Sequence, residues 1–247
     1  MNPISYYLES VYEKTHGYRP TWLPNLPIQI GDFGVLENNV FRKEGNLIGI
    51  GVTARFDTSV SESKMDLSSE KGVSITTKLK GKVEPKSVAL GQADAGFIIE
   101  FKNENSFIFR INGFKTSIII NLAEIKDYIL KRHAEGKWDK NMVVINELVT
   151  AHSATILLSG QAGAKVELKA QVDVEVESMD IADVSLNLKL ESGQSLAAQF
   201  LGQVGITPLY RVIGIKKTLF STSISSKGMN DKNDERQVND LFIVEEI

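Results

Sequence analysis

No cysteine occurs among the 247 residues. That excludes a disulfide scaffold, thiol catalysis, thiolate metal sites and cysteine lipidation, and it fits a reducing compartment. A basic surplus is missing too. With 28 Lys and Arg against 31 Asp and Glu, the net charge is -3, which argues against a dedicated nucleic-acid binder. Apolar runs are far shorter than the ~20 residues of a membrane helix. The start, "MNPISYYLESVYEK", has no basic segment followed by an apolar core, so no secretory signal is expected. What is present is ordinary for a folded chain: 42% hydrophobic and 24% charged residues, enough to build a core. The expectation is a soluble, cytoplasmic protein.

Catalytic signatures are equally scarce. His16, His133 and His152 have no metal-site spacing, such as two histidines one helical turn apart. No serine sits in a G-x-S-x-G turn. "GIGV" and "GQAGAK" lack the Lys-Ser/Thr ending of a phosphate loop, so Gly160 and Gly163 read as turn residues. Glu245 and Glu246 read as tail charges. The expectation is a non-enzyme with no cofactor, no metal and no nucleic-acid partner.

Helices are predicted in two places. In 3–15, Ile4, Leu8 and Val11 recur at helical spacing. In 121–133, Asn121 and Glu124 suit a capping box, and Leu122, Ile125, Ile129 and His133 form one stripe ending before Gly136. Between Gly17 and Gly34, three prolines and three glycines predict a long loop, with Trp22 and Leu23 plugging the core. Strands are expected at "VFRK", "LIGIGVTARF", "MVVINELV", "SATILLS", "TPLYRVIGI" and "LFIVEEI". Two hairpins are expected: one turns at Lys102–Asn105, the other at Gly160–Gly163. A polar, mobile stretch is expected at 59–71, and a short helix at "GQSLAAQFLG". The class is α+β: a twisted, mostly antiparallel sheet with long amphipathic hairpins and a few covering helices.

The strongest pattern is "VELKAQVDVEVESM". From Val166 to Glu177 apolar and polar residues alternate almost without a break. Ordinary strands run about 5–6 residues. An antiparallel sheet with one dry and one wet face alternates in this way. So does a membrane-spanning β-strand, which needs about 9–11 residues. Val184, Leu186 and Leu188 repeat the pattern, as do Val73, Ile75 and Leu79, and Phe97, Ile99 and Phe101. On the membrane reading these residues, with Val166, Leu168, Val172 and Val174, face lipid, and many copies side by side close the sheet. Lys78, Lys80 and Lys82, within a cluster that includes Lys71 and Lys86, are the candidate lipid-headgroup contacts. From Ser221 to Asp240 almost nothing can be buried, which predicts a flexible linker, and the apolar "LFIVEEI" follows it.

A family resemblance lies on these residues. "WDKNMVVINELVTAHSATILLSGQAGAKVELKAQ" resembles the gasdermin pore-forming domain after its central helix, through Val143, Val144, Glu147, Leu148 and Val149. "VSLNLKLESGQSLAAQF" is similar to that family's strand, turn and Leu-Ala-Phe segment over Ser192 to Phe200. "GKVEPKSVAL" falls where the family's first hairpin runs, and the order of elements agrees. The length suits compact bacterial members with a short inhibitory tail, although their N-terminal cysteine is lacking. The resemblance implies a pore-forming domain at 1–220, and a linker and inhibitory tail at 221–247 carrying Leu241, Phe242, Ile243 and Val244. It further implies a latent cytoplasmic protein of a bacterial cell-death and defence system. An activating protease would release the tail, and the protein would then form a homo-oligomer in inner-membrane lipid. The alternative is a soluble β-rich binding or scaffold protein.

Overall fold

The computed structural model describes residues 2–69, 72–78, 96–170, 188–201, 205–219 and 240–246. Among them, two α-helices accompany strands that all pair antiparallel, compatible with the α+β class. The helices are α1 (Pro3–Lys14) and α2 (Leu122–Ala134). The strands are β1 (Arg19–Pro20), β2 (Asp32–Glu37), β3 (Val40–Asn46), β4 (Phe56–Thr58), β5 (Ser63–Ser68), β6 (Val73–Lys78), β7 (Gly96–Phe101), β8 (Phe107–Ile119), β9 (Met142–Ala151), β10 (Ser153–Ser159), β11 (Ala164–Ala170), β12 (Leu188–Gln194), β13 (Leu196–Leu201), β14 (Ile206–Leu219) and β15 (Asp240–Glu246).

Eleven strands form one large sheet with the central order β1-β14-β9-β8-β10-β13. It bends where β9 passes into β10. Both flank the same side of β8, and the His152 N–H donates to the Asn112 carbonyl. Opposite lies Gly113 at φ +61, where an added Cβ would meet the His152 ring at 2.7 Å. Only glycine meets both demands. On one half of the bent sheet, α1 buries Tyr7, Leu8 and Val11 against Phe107, Phe109, Ile111, Ala154 and Ile156. On the other half, α2 buries Ile125 and Ile129 against Ile119, Val144, Ile213 and Ile215. The opposite face of that half carries Val143, Ile145, Tyr210 and Val212, closed over by Ile28 with Leu36 and Phe41. Asp32, fully buried, fastens this cover: it meets Lys43 Nζ at 2.9 Å and accepts from Asn46 Nδ2 at 2.8 Å and Gln29 N at 2.7 Å.

A second sheet of four strands, ordered β12-β11-β7-β6, lies over the first half. Phe97, Ile99, Phe101, Val166 and Leu168 pack on Ile108 of β8 and Leu157 of β10. Every residue of β10 is therefore buried, and both faces of β8 carry core side chains.

The layering overturns both expected hairpins. β7 pairs with β6 and β11, not with β8, and β11 pairs with β12 and β7, not with β10. Strands apolar on both faces belong in a middle layer, while strands with one polar face belong outside. The short connections at 102–106 and 160–163 are thus corners between layers.

Other expectations change for local reasons. "LIGIGVTARF" is not a continuous strand: Leu47–Ile50 form a 3-10 turn and only Phe56–Thr58 pair with β8. The stretch 59–71 contains β5, whose Met65 and Leu67 pack into the α1 cluster. "GQSLAAQFLG" holds a strand, β13, because its Ala198 and Phe200 have the Ile156 and Leu158 side of β10 to cover. Trp22 packs against the core, but Leu23 is 46% exposed. Asn121 makes no capping hydrogen bond. Its amide accepts from Arg55 N at 2.8 Å and donates to Thr53 O and Glu124, so it ties the approach to β4 instead.

Candidate functional site

The four-stranded sheet has one dry and one wet face, set by register. Dry rows run Val73–Phe101–Ala164, Ile75–Ile99–Val166 and Phe97–Leu168–Leu190 across the strands, with Ile75 at the rim, 36% exposed. Wet rows run Ser74–Glu100–Lys165 and Thr76–Ile98–Glu167, and at the end of the sheet Lys78, Gly96, Lys169 and Lys189 stand in register. On the wet face Lys165 Nζ meets Glu100 Oε1 at 2.8 Å. That hydrogen bond and charge hold the Glu100 carboxyl below the usual range and raise Lys165.

The ends of the strands matter more than the faces. β6 ends at Lys78, opposite Gly96, where β7 begins; β11 ends at Ala170, opposite Leu188, where β12 begins. Because Gly96 also faces Lys169, both connections, 79–95 and 171–187, leave from one end of the sheet. Each is 17 residues long. Among the described residues β6 pairs only with β7, and β12 only with β11. Among the described residues the unit therefore has two open edges.

Of the residues singled out for lipid, Phe97, Ile99, Phe101, Val166 and Leu168 are buried in one cluster, with Val73 partly buried against it. Ile75 is 36% exposed. Leu188 sits in register with Ala170. Leu79, Val172, Val174, Val184 and Leu186 lie outside the described residues, as do Lys80 and Lys82. Lys78 stands in the last register row, opposite Gly96. Its row-mates Lys169 and Lys189 escaped the sequence reading because only register brings 78, 169 and 189 together.

The C-terminal strand is at the far side of the molecule's large sheet. β15 pairs with the outer edge of β14: Leu241 faces Thr218, Phe242 faces Lys217, Ile243 faces Lys216 and Val244 faces Ile215. α2 runs beside it. Of the linker expected at Ser221–Asp240, residues 221–239 lie outside the described residues, and Asp240 instead opens β15.

A polar cluster also escaped the sequence reading. The Tyr18 hydroxyl donates to Glu147 Oε2 at 2.5 Å, and the Arg211 guanidinium lies 3.6 Å from Glu147 Oε1 and 4.2 Å over the Tyr18 ring. Arg211 also donates to the His16 carbonyl at 2.7 Å. These contacts staple the loop after α1 to β9 and β14. The histidines sit on separate elements: His133 Nδ1 is 2.9 Å from the Trp138 carbonyl, and His152 Nε2 is 3.4 Å from Glu62. Among the described residues no group of three His, Asp or Glu could hold a metal ion.

Against known proteins, no family model matches this chain and no curated sequence is similar to it.

Proposed function

We propose that this chain is a latent, gasdermin-like pore former of a bacterial defence system, activated when a protease removes its C-terminal strand. One observation supports this above all: two 17-residue connections leave the same end of one four-stranded sheet. In the proposed membrane-inserted state, with a short turn left over, each connection is long enough to add about seven residues to each of its two strands. Added to the six residues of β6 or the seven of β11, that exceeds the ~9–11 residues a membrane strand needs. The lengthened pairs are the long amphipathic hairpins of the proposal. On this reading, once inserted, Leu79, Val172, Val174, Val184 and Leu186 would be set towards lipid and the alternating polar residues towards a water-filled lumen. Lys78, Lys80 and Lys82 would meet headgroups at the entry.

The edges fit repetition. Neighbouring strands in the unit are antiparallel and four in number, so β12 of one copy and β6 of the next run in opposite senses. Copies placed side by side keep antiparallel pairing and close without a free edge. The domain boundary on this reading falls near 220, with 221–247 as linker and inhibitory tail.

The rival reading, a soluble β-rich binding or scaffold protein, has its own observation. The dry face is already covered: Phe97, Ile99, Phe101, Val166 and Leu168 are at most 1% exposed. Each such side chain stabilises the folded state by about 1.5–3 kcal/mol, which insertion must recover from lipid.

Leakage separates the two. Full-length protein carrying an inserted protease site within 221–239 is added to anionic liposomes loaded with dye. Cut protein is expected to release dye and uncut protein to retain it. Val172→Asp should abolish release, because a charge at the bilayer middle costs about 2–4 kcal/mol on a lipid-facing strand. Absence of release from cut protein, or unchanged release from a folded Val172→Asp variant, refutes the pore.

A further inference from the structure

An open sheet edge invites pairing with another chain, and proteins guard such edges with charge, proline or brevity. Among the described residues the strands paired on one side only are β1, β3, β4, β5, β6, β12, β13 and β15. All but one carry a guard. β1 is two residues long and ends in Pro20, and β4 is three residues long with Asp57. β3 holds Arg42, Lys43 and Glu44, and β5 holds Lys64 and Asp66. β6, β12 and β15 each include a lysine or a carboxylate. The exception is β13, which reads LAAQFL, with no charge and no proline.

β13 gives its inner side to β10, with Phe200 opposite Ile156 and Ala198 opposite Leu158. Ala198 and Phe200 pack towards the α1 cluster, while Ala197 and Gln199 are exposed. Ser195, at φ +60, separates the strand from β12. Beside Ala198 lies an apolar hollow of about 60 Å³, lined by Tyr7, Trp22, Leu23, Ile156, Ala198 and Phe200. The edge is also complementary to itself. Two antiparallel β13 strands related by a twofold axis at Gln199 set Gln199 against its own copy, Phe200 against Ala198 and Leu201 against Ala197. Large residues then meet small ones across the seam. Phe200 of the second copy comes to stand on the α1 side next to Ala198, at the hollow. An axis one residue earlier or later loses this match, because it sets Phe200 against Leu196 or against itself.

We propose that β13 is the interface of a twofold dimer of this chain in solution: Leu196–Leu201 pairs antiparallel with the same strand of a second copy, and each Phe200 seats in the other copy's hollow. Main-chain hydrogen bonds join the two large sheets into one, and the same patch serves both copies, as a twofold axis requires. Trp22 and Leu23 flank the seam, and Leu23, 46% exposed in the single chain, gains cover there. No charge on the strand opposes the approach. A six-residue edge on each side belongs with interfaces below about 1,200 Å², so the association is weak and reversible. The pairing uses neither β6 nor β12 and needs no membrane, so the dimer does not rest on the pore reading.

A chain without cysteine allows the register to be tested by single introduced thiols. A residue on the axis faces itself with about 4.5–5.5 Å between Cα atoms, within the span of a disulfide. The two copies of Ala197 are offset by four positions along the strand, about 14 Å, too far to bridge. Full-length Gln199→Cys and Ala197→Cys variants are oxidised side by side. Both positions are exposed, so both variants should fold, which circular dichroism checks. Gln199→Cys is expected to give at least about tenfold more disulfide-linked dimer than Ala197→Cys. Sedimentation of the unaltered chain should show a dimer that grows with concentration. Gln199→Lys, which sets two like charges on the axis, should abolish it. Equal cross-linking of the two thiol variants, or none in either, overturns the proposal. So does an unaltered chain that stays monomeric up to its solubility limit, or association that survives Gln199→Lys. Dye release plays no part in these readouts, so their failure is distinct from failure of the pore.

Discussion

Two phenols show what burial does to single side chains. Tyr7 is 2% exposed, between the rings of Phe107 and Phe109, and its hydroxyl has no hydrogen-bond partner among the described residues. Burial drives its pKa far above the usual value near 10. Tyr210, beneath Phe41, is pushed up to about 12, chiefly by burial and against the lowering pull of Arg19. Both acids are thus held neutral by the fold. Above pH 10 the unfolded chain loses these protons and the folded chain keeps them, so stability is fully present below pH 10 and falls as pH rises towards 12. Denaturant titrations from pH 9 to pH 11.5 should show this decline, and a Tyr7→Phe, Tyr210→Phe variant should flatten it. An equally steep decline in the double variant would assign the loss to other groups.

Among the elements, the junction of β7 with β11 bears most on the candidate site. Gly96 opens β7 in the last row of the four-stranded sheet, and an added Cβ would stand 2.0 Å from the Leu168 carbonyl oxygen. That oxygen belongs to strand backbone and cannot move without breaking the register. Gly96→Ala should therefore loosen β7 from β11 and destabilise the fold by about 1–3 kcal/mol, the usual range for overpacking. Hydrogen exchange should rise at the sheet end, Gly96–Ile98 and Leu168–Ala170, before it rises in β9. If exchange there stays at wild-type rates, the close approach is absent. The same junction explains why two excursions so far apart in sequence share one exit.

At the scale of the molecule, the two sheets share a core. Ile108 and Leu157 come from the large sheet and pack into the cluster formed by the small one. The small sheet therefore has little apolar support of its own, and the described structure should unfold as one cooperative unit. Trp22 packs at the α1 cluster and Trp138 at the α2 cluster, so tryptophan fluorescence reports only the large sheet. Far-ultraviolet circular dichroism reports both. Thermal transitions by the two probes should coincide, and Leu157→Ala should shift both down together by about 2–5 kcal/mol of stability. Separate transitions would mean that the four-stranded sheet melts independently.

The sequence by itself determined the helices, through Leu8 and Val11 or Ile125 and Ile129 at helical spacing, because a stripe that must be buried needs no knowledge of its partner. It also determined most strands and the dry and wet faces of 96–101 and 164–170, since strand periodicity is a property of one segment. It could not say which strands pair. Adjacent runs such as 96–101 and 107–119 read as a hairpin until the second layer is known, because a short connection serves a turn or a corner equally well. β13 read as a helix for the same reason: its alternation is brief, and only the uncovered side of β10 decides in favour of a strand. The row of Lys78, Lys169 and Lys189, the Tyr18–Glu147–Arg211 staple and the shared exit of the two 17-residue connections belong to the tertiary structure alone. Each joins residues from separate stretches of the chain, and register, which carries no local signature, is what brings them together.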